Sequence, residues 1–498
     1  MSSLPTATRP SSLQSPVLHS AVDRTRVAPL LALSAFGIAT VAIYTVVFLR
    51  AYPLAEWWQY ALADFGTISG YDLSAQLAFL GGFAALFGLC YGAAEIVHRW
   101  RPRGALPVIL LFQVLAGLPL IGIYPIAALD VFDYVIYARM ALYWGANPFI
   151  VTPSALPNEP TVGFSYWQNE PSVYGPLWQA LSERVVAIAN GQVLEGLVAF
   201  KSVALAAAVL TTLLVWLILR RLRPEFADVG ALFWAWNPLQ MFESAGNAHN
   251  DSVMVLLLVV AIFCMVYGPR LLTLPVLAAS LLIKVTLAPL VPVFVVASLL
   301  GNGPPSRRVV RLLASASLAV AVVVVSYAPY WVGRASLPFM DRGNWFTASP
   351  PTLVRELFRQ WFDFDVAGQR AALLCGAGFA LITLVVLARL VRRASQADGT
   401  SRDLMVIRAA YVVFFAYLVV ACLWWQPWYL LALLCLAVIT GDRVLIDRAN
   451  LFCIGGLLSY VAYKYIWQVH QGDWQLDYLR IQVLFVVAIF TLPLLHLA

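Results

Sequence analysis

The stretch VILLFQVLAGLPLIGIYPIAALDVFDYVIYARMALYWGAN, residues 108–147, holds the key to the fold. Its first half, Val108 to Ile126, is an apolar run about as long as the ~20 residues a bilayer-crossing helix needs. Asp130 and Asp133 stand at its mouth. Their three-residue spacing puts both carboxylates on one face of a helix. Carboxylates beside a membrane span are costly unless solvated or used. Either they cap the next helix and complement its dipole, or one of them is a general base facing a membrane-borne substrate. Tyr134, Tyr137 and Arg139 follow on the same helix, and Arg139 suits a carboxylate or a phosphate partner.

The rest of the chain has the same apolar character. Of 498 residues, 61% are hydrophobic and 11% charged, and the mean hydropathy is +0.81. Soluble domains carry about 25% charged residues, so this is a polytopic, all-α integral membrane protein. The net charge is +7, with 32 basic residues that are nearly all Arg. Such an excess fits cytoplasmic loops facing anionic lipid and calls for no nucleic-acid partner. The six cysteines all fall in apolar runs without metal-ligand spacing, so they read as small core residues. Residues 1–27 are rich in Ser, Pro and Thr and read as a disordered cytoplasmic tail, with 28–498 a single transmembrane domain.

Apolar runs predict about 11–14 spans, beginning at 28–49, 74–97 and 106–127 and ending at 478–497. The runs at 228–243, 270–285 and 428–441 are short enough to be broken or re-entrant. Basic turns at 98–103, 220–224, 268–270, 305–311, 390–395 and 441–443 fall on alternate connections, which the positive-inside rule assigns to the cytoplasm. Nearly every unusual polar residue then lies on the other side. Two outer loops are long: 128–192, with amphipathic helical pieces, and 332–366, with Arg342 among its cations.

Four motifs share that outer side. NPLQMFESAGNAHNDS (237–252) packs Glu243, Asn247, His249, Asn250 and Asp251 between apolar runs. Asn and Asp there would either cap the helix starting at Ser252 or touch phosphate and sugar hydroxyls. His249 and Asp251 lack a convincing metal spacing. Lys284 interrupts an apolar run, where a charge costs about 2.5–3.5 kcal/mol at a helix centre. It snorkels at a span end or meets a phosphate. WWQPWY (424–429), with Trp425 and Gln426, is an interfacial aromatic belt or a stacking platform. YWQNE (166–170) and VYGPLW (173–178) are loop-forming and contribute Glu170 and Tyr174.

In combination these residues resemble the GT-C glycosyltransferases, and within them the actinobacterial α-1,6-mannosyltransferases that use polyprenyl-phosphomannose. The resemblance rests on Asp130, Tyr134, Gly145, Asn147, Pro148 and Phe149, on YGPLW, on NPL…GNAHND, and on Lys284 with Pro289. It is clearest over 128–290. It departs from the simplest pattern in having two spans before the one that ends at Asp130. The resemblance implies a GT-C-type helical bundle, with Asp130 or Asp133 as catalytic base. Arg139, His249, Lys284 and Arg342 would hold the donor phosphate. Tyr134, Asn147, Glu170, Tyr174, Glu243, Asn247, Asn250, Asp251, Trp425 and Gln426 would meet sugar or acceptor. The expected reaction is inverting hexose transfer, with mannose favoured, from a polyprenyl-phosphate sugar to a glycan or lipoglycan outside the bacterial plasma membrane. No cofactor is implied beyond that lipid-linked donor. A transporter or flippase of lipid-linked sugars is the alternative, and it would carry polar residues through the midplane instead.

Overall fold

A computed structural model describes residues 17–60, 62–301, 303–338, 340, 345–463 and 478–496. Arg342 lies outside the described residues, as does the tail before Val17. Among the described residues the regular elements are all helices. In order come α1 (Val17–Ile43), α2 (Leu73–Trp100), α3 (Ala105–Ile121), α4 (Asp130–Trp144), α5 (Pro176–Ile188) and α6 (Val193–Leu222). Then follow α7 (Ala227–Ala235), α8 (Pro238–Gly246), α9 (Asp251–Tyr267), α10 (Thr273–Leu281), α11 (Val291–Leu299) and α12 (Pro305–Tyr327). The last are α13 (Pro350–Phe358), α14 (Phe364–Ala394), α15 (Gly399–Ala416), α16 (Leu430–Thr440), α17 (Arg443–Val461) and α18 (Tyr478–Leu495). Helix α1 starts earlier than the expected tail boundary at 28, because residues 17–28 hold neither Gly nor Pro to stop it.

Among the described residues, seven helices are long and apolar enough to cross a membrane, or eight if the bent pair α8–α9 is one span. Five shorter apolar helices accompany them, including those at 105–121, 427–440 and 479–495. Of the short runs flagged in the sequence, 228–243 is broken between α7 and α8, and 270–285 and 428–441 are short helices. Their shortness has a packing reason: α7 and α16 sit in the centre, with every residue of α16 buried. A helix that is apolar all round belongs in a core, and one surrounded by protein need not match the bilayer's thickness.

The bundle has two unlike ends. Helices α6 and α9 run side by side in one direction, since the Tyr267 hydroxyl at the end of α9 donates to the Leu217 carbonyl near the end of α6. Arg221 stacks on the same tyrosine. Arg270 pairs with Asp403 at 2.7 Å and Arg408 with Asp442 at 2.9 Å, so the basic turns gather at this end. The starts of α6 and α9 lie at the other end, beside α4. Helix α6 has 30 residues, so about 45 Å separates the two ends.

Candidate active site

Two interrupted helices build the site. The first interruption separates α8 from α9, which meet at 117°. Asn237 caps α8 through its side chain, which accepts from the Gln240 amide. After Gly246 the chain turns through Asn247, Ala248, His249 and Asn250, and Ala248 takes a φ of +59°. A non-glycine residue in that region stores strain, which is common where a site fixes the backbone. Lys201, fully buried on α6, holds the turn from beneath. Its ammonium donates to the carbonyls of Ile123 (2.7 Å), Leu120 (3.2 Å) and Gly246. Those carbonyls end α3 and α8, where unpaired oxygens and the negative dipole end attract a cation.

The second interruption follows α10. Lys284 is extended there, with φ −160°, before a short 3₁₀ turn at Val285–Leu290. The YGPLW segment docks on this break. Gly175 donates to the Ile283 carbonyl and Leu177 to that of Leu282. A Cβ on Gly175 would lie 2.0 Å from the Leu282 carbonyl oxygen, so only glycine permits this approach. Docking brings Tyr174 to Lys284, whose ammonium lies 5.9 Å from the Tyr174 ring, 5.4 Å from Trp428 and 5.2 Å from Tyr429. Lys284 also donates to Asp251 Oδ2 at 2.7 Å, tying the two interruptions together.

Asp130 completes the arrangement. Helix α4 ends at Gly145 in a left-handed C-cap, and it starts at Asp130 without any side-chain cap bond. Neither aspartate caps α4, but both stand in its first turn, where the helix dipole favours a carboxylate. Asp130 Oδ2 accepts from the Tyr174 hydroxyl at 3.0 Å and lies 4.0 Å from His249 Nδ1. Burial pushes its carboxyl above the usual range, against the opposing pull of Lys284 and Tyr174. Asp130 and Lys284 line one open cavity of about 410 Å³, together with Tyr174, Thr286, Gln426 and Tyr429. Its aromatic wall is Trp167, Trp345, Trp424 and Trp428. The Trp167 and Trp345 rings stack at 5.5 Å, and Trp424 lies 5.3 Å from Trp345.

A buried polar layer backs the cavity. His249 stacks on Trp428 at 3.9 Å, and its Nε2 is 3.3 Å from Glu243 Oε2. Glu243 accepts from the Tyr460 hydroxyl at 2.7 Å and from Asn247 at 3.0 Å. Asn250 is 1% exposed, yet it makes no side-chain cap bond to α9. The capping explanation of the 237–252 motif thus fails for Asn250, while Asp251 is engaged by Lys284. Tyr134 stands behind Asp130, packed edge-on against Tyr174 and Trp178. Its oxygen accepts from the Asn250 amide at 3.4 Å.

Several expected site residues hold the scaffold instead. Asp133 is 1% exposed and accepts from the Ser165 hydroxyl, which in turn accepts from the Trp167 amide. It thereby positions Trp167 without lining the cavity. Burial pushes its carboxyl well above the usual range. Arg139 is spent on Glu159 at 2.8 Å and on the Gly191 carbonyl. Burial pushes the Glu159 carboxyl up, but hydrogen bonds from Arg139, Thr161 and Trp144 outweigh it and hold the group below its usual range. Asn147 donates to the Tyr330 carbonyl at 2.8 Å and accepts from the Phe149 amide, locking the NPF turn. The Glu170 carbonyl accepts from the Tyr137 hydroxyl. Trp425 faces inward, stacked on Phe452 at 6.0 Å. Arg355 and Arg359 both pair with Glu356. Among the described residues that line the cavity, Lys284 is the one cation. Of the wall residues, Trp424 and Trp428 lie in the WWQPWY turn, read from the sequence as an aromatic belt or a stacking platform, whereas Trp167 and Trp345 were visible as loop aromatics without an assigned role. Among the described residues, no three His, Cys, Asp or Glu side chains gather as a metal site. All six cysteines are free and buried.

A polytopic helical membrane protein, with a carboxylate and an ammonium on an aromatic-walled cavity at one end of its bundle, is the class this architecture defines. Residues 27–300 match the MptA_B family, described as alpha-(1->6)-mannopyranosyltransferase, N-terminal domain, and the chain belongs to that family. It is 26% identical over 275 residues to alpha-(1->6)-mannopyranosyltransferase A of Corynebacterium glutamicum. That match covers 50% of this chain and 55% of the relative, so the chain spans about half the length of the curated relative. No solved structure matches.

Proposed function

We propose that the chain is an inverting membrane mannosyltransferase. It moves mannose from a polyprenyl-phosphate donor to a hydroxyl of a glycan or glycolipid acceptor, outside the bacterial plasma membrane. The observation that carries this reading is Asp130 and Lys284 on one cavity walled by tryptophans. Its volume of about 410 Å³ falls within the roughly 300–1,000 Å³ of small-molecule sites. Family membership and the relative's activity as an alpha-(1->6)-mannopyranosyltransferase support mannose.

A sugar carried on phosphate brings its own leaving group, so a single base suffices. The acceptor oxygen attacks the anomeric carbon and gives its proton to Asp130. The bond from that carbon to the phosphate oxygen breaks, and the electron pair leaves with the phosphate. Lys284 holds this anion: its ammonium has three donors and Asp251 takes one. Attack opposite the phosphate inverts the centre, so a β-linked donor gives an α-linked product. The tryptophan wall offers apolar faces to the sugar ring or the first prenyl units. The Asp130 carboxylate also favours the oxocarbenium-like transition state.

The bundle's two unlike ends support the outer side of the membrane. The cavity lies opposite the arginine-rich turns, which the positive-inside rule assigns to the cytoplasm. Transport is the weaker reading, because α7 and α16 fill the centre with chiefly apolar side chains where a flippase needs a polar path.

The test is transfer by purified protein in nanodiscs, given radiolabelled polyprenyl-phosphomannose or GDP-mannose with an α-mannoside acceptor. The lipid donor should yield an α-mannosidase-sensitive product and GDP-mannose none. Equal use of GDP-mannose, or a β-linked product, would overturn the proposal.

A further inference from the structure

A second cavity, of about 300 Å³, opens between α14 and α15 near the arginine-rich end of the bundle. Arg389 and Arg393 reach it from α14 and Arg408 from α15, over an apolar wall that includes Val386, Met405 and Val412. Arg389 and Arg393 are four residues apart, so they stack on one helix face, where like charges repel. Nearby acids are already engaged. Asp403 pairs with Arg270, Asp442 with Arg408, and Asp398 caps α15 by accepting from the Ser401 amide. Among the described residues, no carboxylate lies within ion-pair distance of Arg389 or Arg393.

The surroundings identify what would balance these charges. Val412 in the groove's own apolar wall is 41% exposed, so the groove opens on the lipid-facing outer surface of the bundle. The tight turn between α14 and α15 makes the two helices antiparallel. Val386 and Val412 therefore lie toward the bilayer centre, and Arg393 and Met405 toward the turn. Val386 and Arg393 are seven residues apart, about 10 Å along the helix. Cations at the membrane edge, continued inward by an apolar track, match a phosphate headgroup with its acyl chain.

We propose that this groove binds an anionic phospholipid. Arg389, Arg393 and Arg408 hold the headgroup phosphate, and the acyl chain runs along Val386 and Val412. The site is separate from the transfer cavity and stands whether or not the chain transfers mannose.

Native mass spectrometry of the full chain, released from neutral detergent, tests this with phosphatidylglycerol, phosphatidylcholine and inorganic phosphate. Phosphatidylglycerol should bind in preference to phosphatidylcholine, and equimolar inorganic phosphate should not displace it. The Arg389→Gln/Arg393→Gln double variant should bind phosphatidylglycerol about 30-fold more weakly, and each single variant about fivefold. The thermal midpoints of all three variants in phosphatidylcholine should match the parent's. The proposal is overturned by equal binding of the two lipids. Displacement by inorganic phosphate also overturns it, as does undiminished phosphatidylglycerol binding in the folded single or double variants.

Discussion

Replacing Asp130 with Asn removes the proposed base and leaves the contacts of its side chain nearly intact. Its one strong bond comes from the Tyr174 hydroxyl at 3.0 Å, and an amide oxygen accepts that bond equally well. The side chain is 17% exposed toward the cavity, so the neutral form suffers no new burial. Stability should therefore change by no more than about 0.5 kcal/mol. Transfer should fall about 10²–10⁴-fold, the usual worth of a positioned base, which is roughly 2.7–5.5 kcal/mol of barrier. Asp133 provides the internal control. It accepts from Ser165, and burial favours its uncharged form, so Asn is a close mimic. Asp133→Asn should keep transfer within about threefold, whereas Asp133→Ala should cost about 1–3 kcal/mol by orphaning the Ser165 hydroxyl. The assay is single-turnover transfer from polyprenyl-phosphomannose by purified variants, with thermal melts run in parallel. A folded Asp130→Asn protein within tenfold of the parent would refute the reasoning. So would an Asp133→Asn protein that melts normally and loses as much activity as Asp130→Asn.

The other predictions concern the groups around that carboxylate. Burial raises the Asp130 carboxyl, and a base must be ionised, so kcat/KM should fall as pH drops through a value above the usual ~3.9. Lys284→Gln removes an opposing cation and should move that acid limb higher; an unmoved limb would separate Lys284 from Asp130. Lys284→Met leaves Asp251 buried and unpaired, so a loss of about 3–5 kcal/mol is expected in melts. Adding Asp251→Asn should restore most of that stability but none of the transfer. The neighbouring tryptophans should part company: Trp424→Ala should raise the donor KM about tenfold, while Trp425→Ala should cost about 3–5 kcal/mol of stability. Lys201→Met strips the donor from carbonyls ending α3 and α8, so it should lower the melting midpoint and broaden amide exchange around 244–250.

Membrane class and the gathering of polar motifs were legible because both follow from composition along the chain. A lysine in an apolar run and five polar residues packed between two spans have few stable placements. The facing of individual side chains was not legible. Trp424 and Trp425 are adjacent in sequence, yet one lines the cavity and the other packs on Phe452. Arg139 looked like a phosphate ligand because nothing near it in sequence announces Glu159 as its partner, brought back by a loop of short turns. Asp133 shares a helix face with Asp130, and only the family resemblance and the position at the span mouth favoured Asp130 over it. The folding of Ser165 onto Asp133 separates them, and that contact is made by tertiary structure alone.

The two helix interruptions explain why charges are tolerated at this depth. An intact helix leaves no backbone donor or acceptor for a buried charge, and apolar neighbours leave it unpaired. Where α8 turns back and where α10 stops, backbone groups are freed and side chains converge from several directions. Each interruption is then stabilised by an ionic group that the other or a neighbouring helix supplies. Lys284 comes from one to Asp251 at the other, and Lys201 comes from α6 to the carbonyls below. Their sequence signals are a glycine–asparagine pair at 246–247 and a lysine followed by Pro289. The same breaks that carry these signals bring Lys284, held from behind by the buried Asp251, to the cavity that Asp130 faces. Closing either break into regular helix would remove the cation's partner and the cavity's polar wall together. Stability and the proposed chemistry therefore depend on one piece of backbone geometry, and substitutions at Gly175 or Ala248 should disturb both at once.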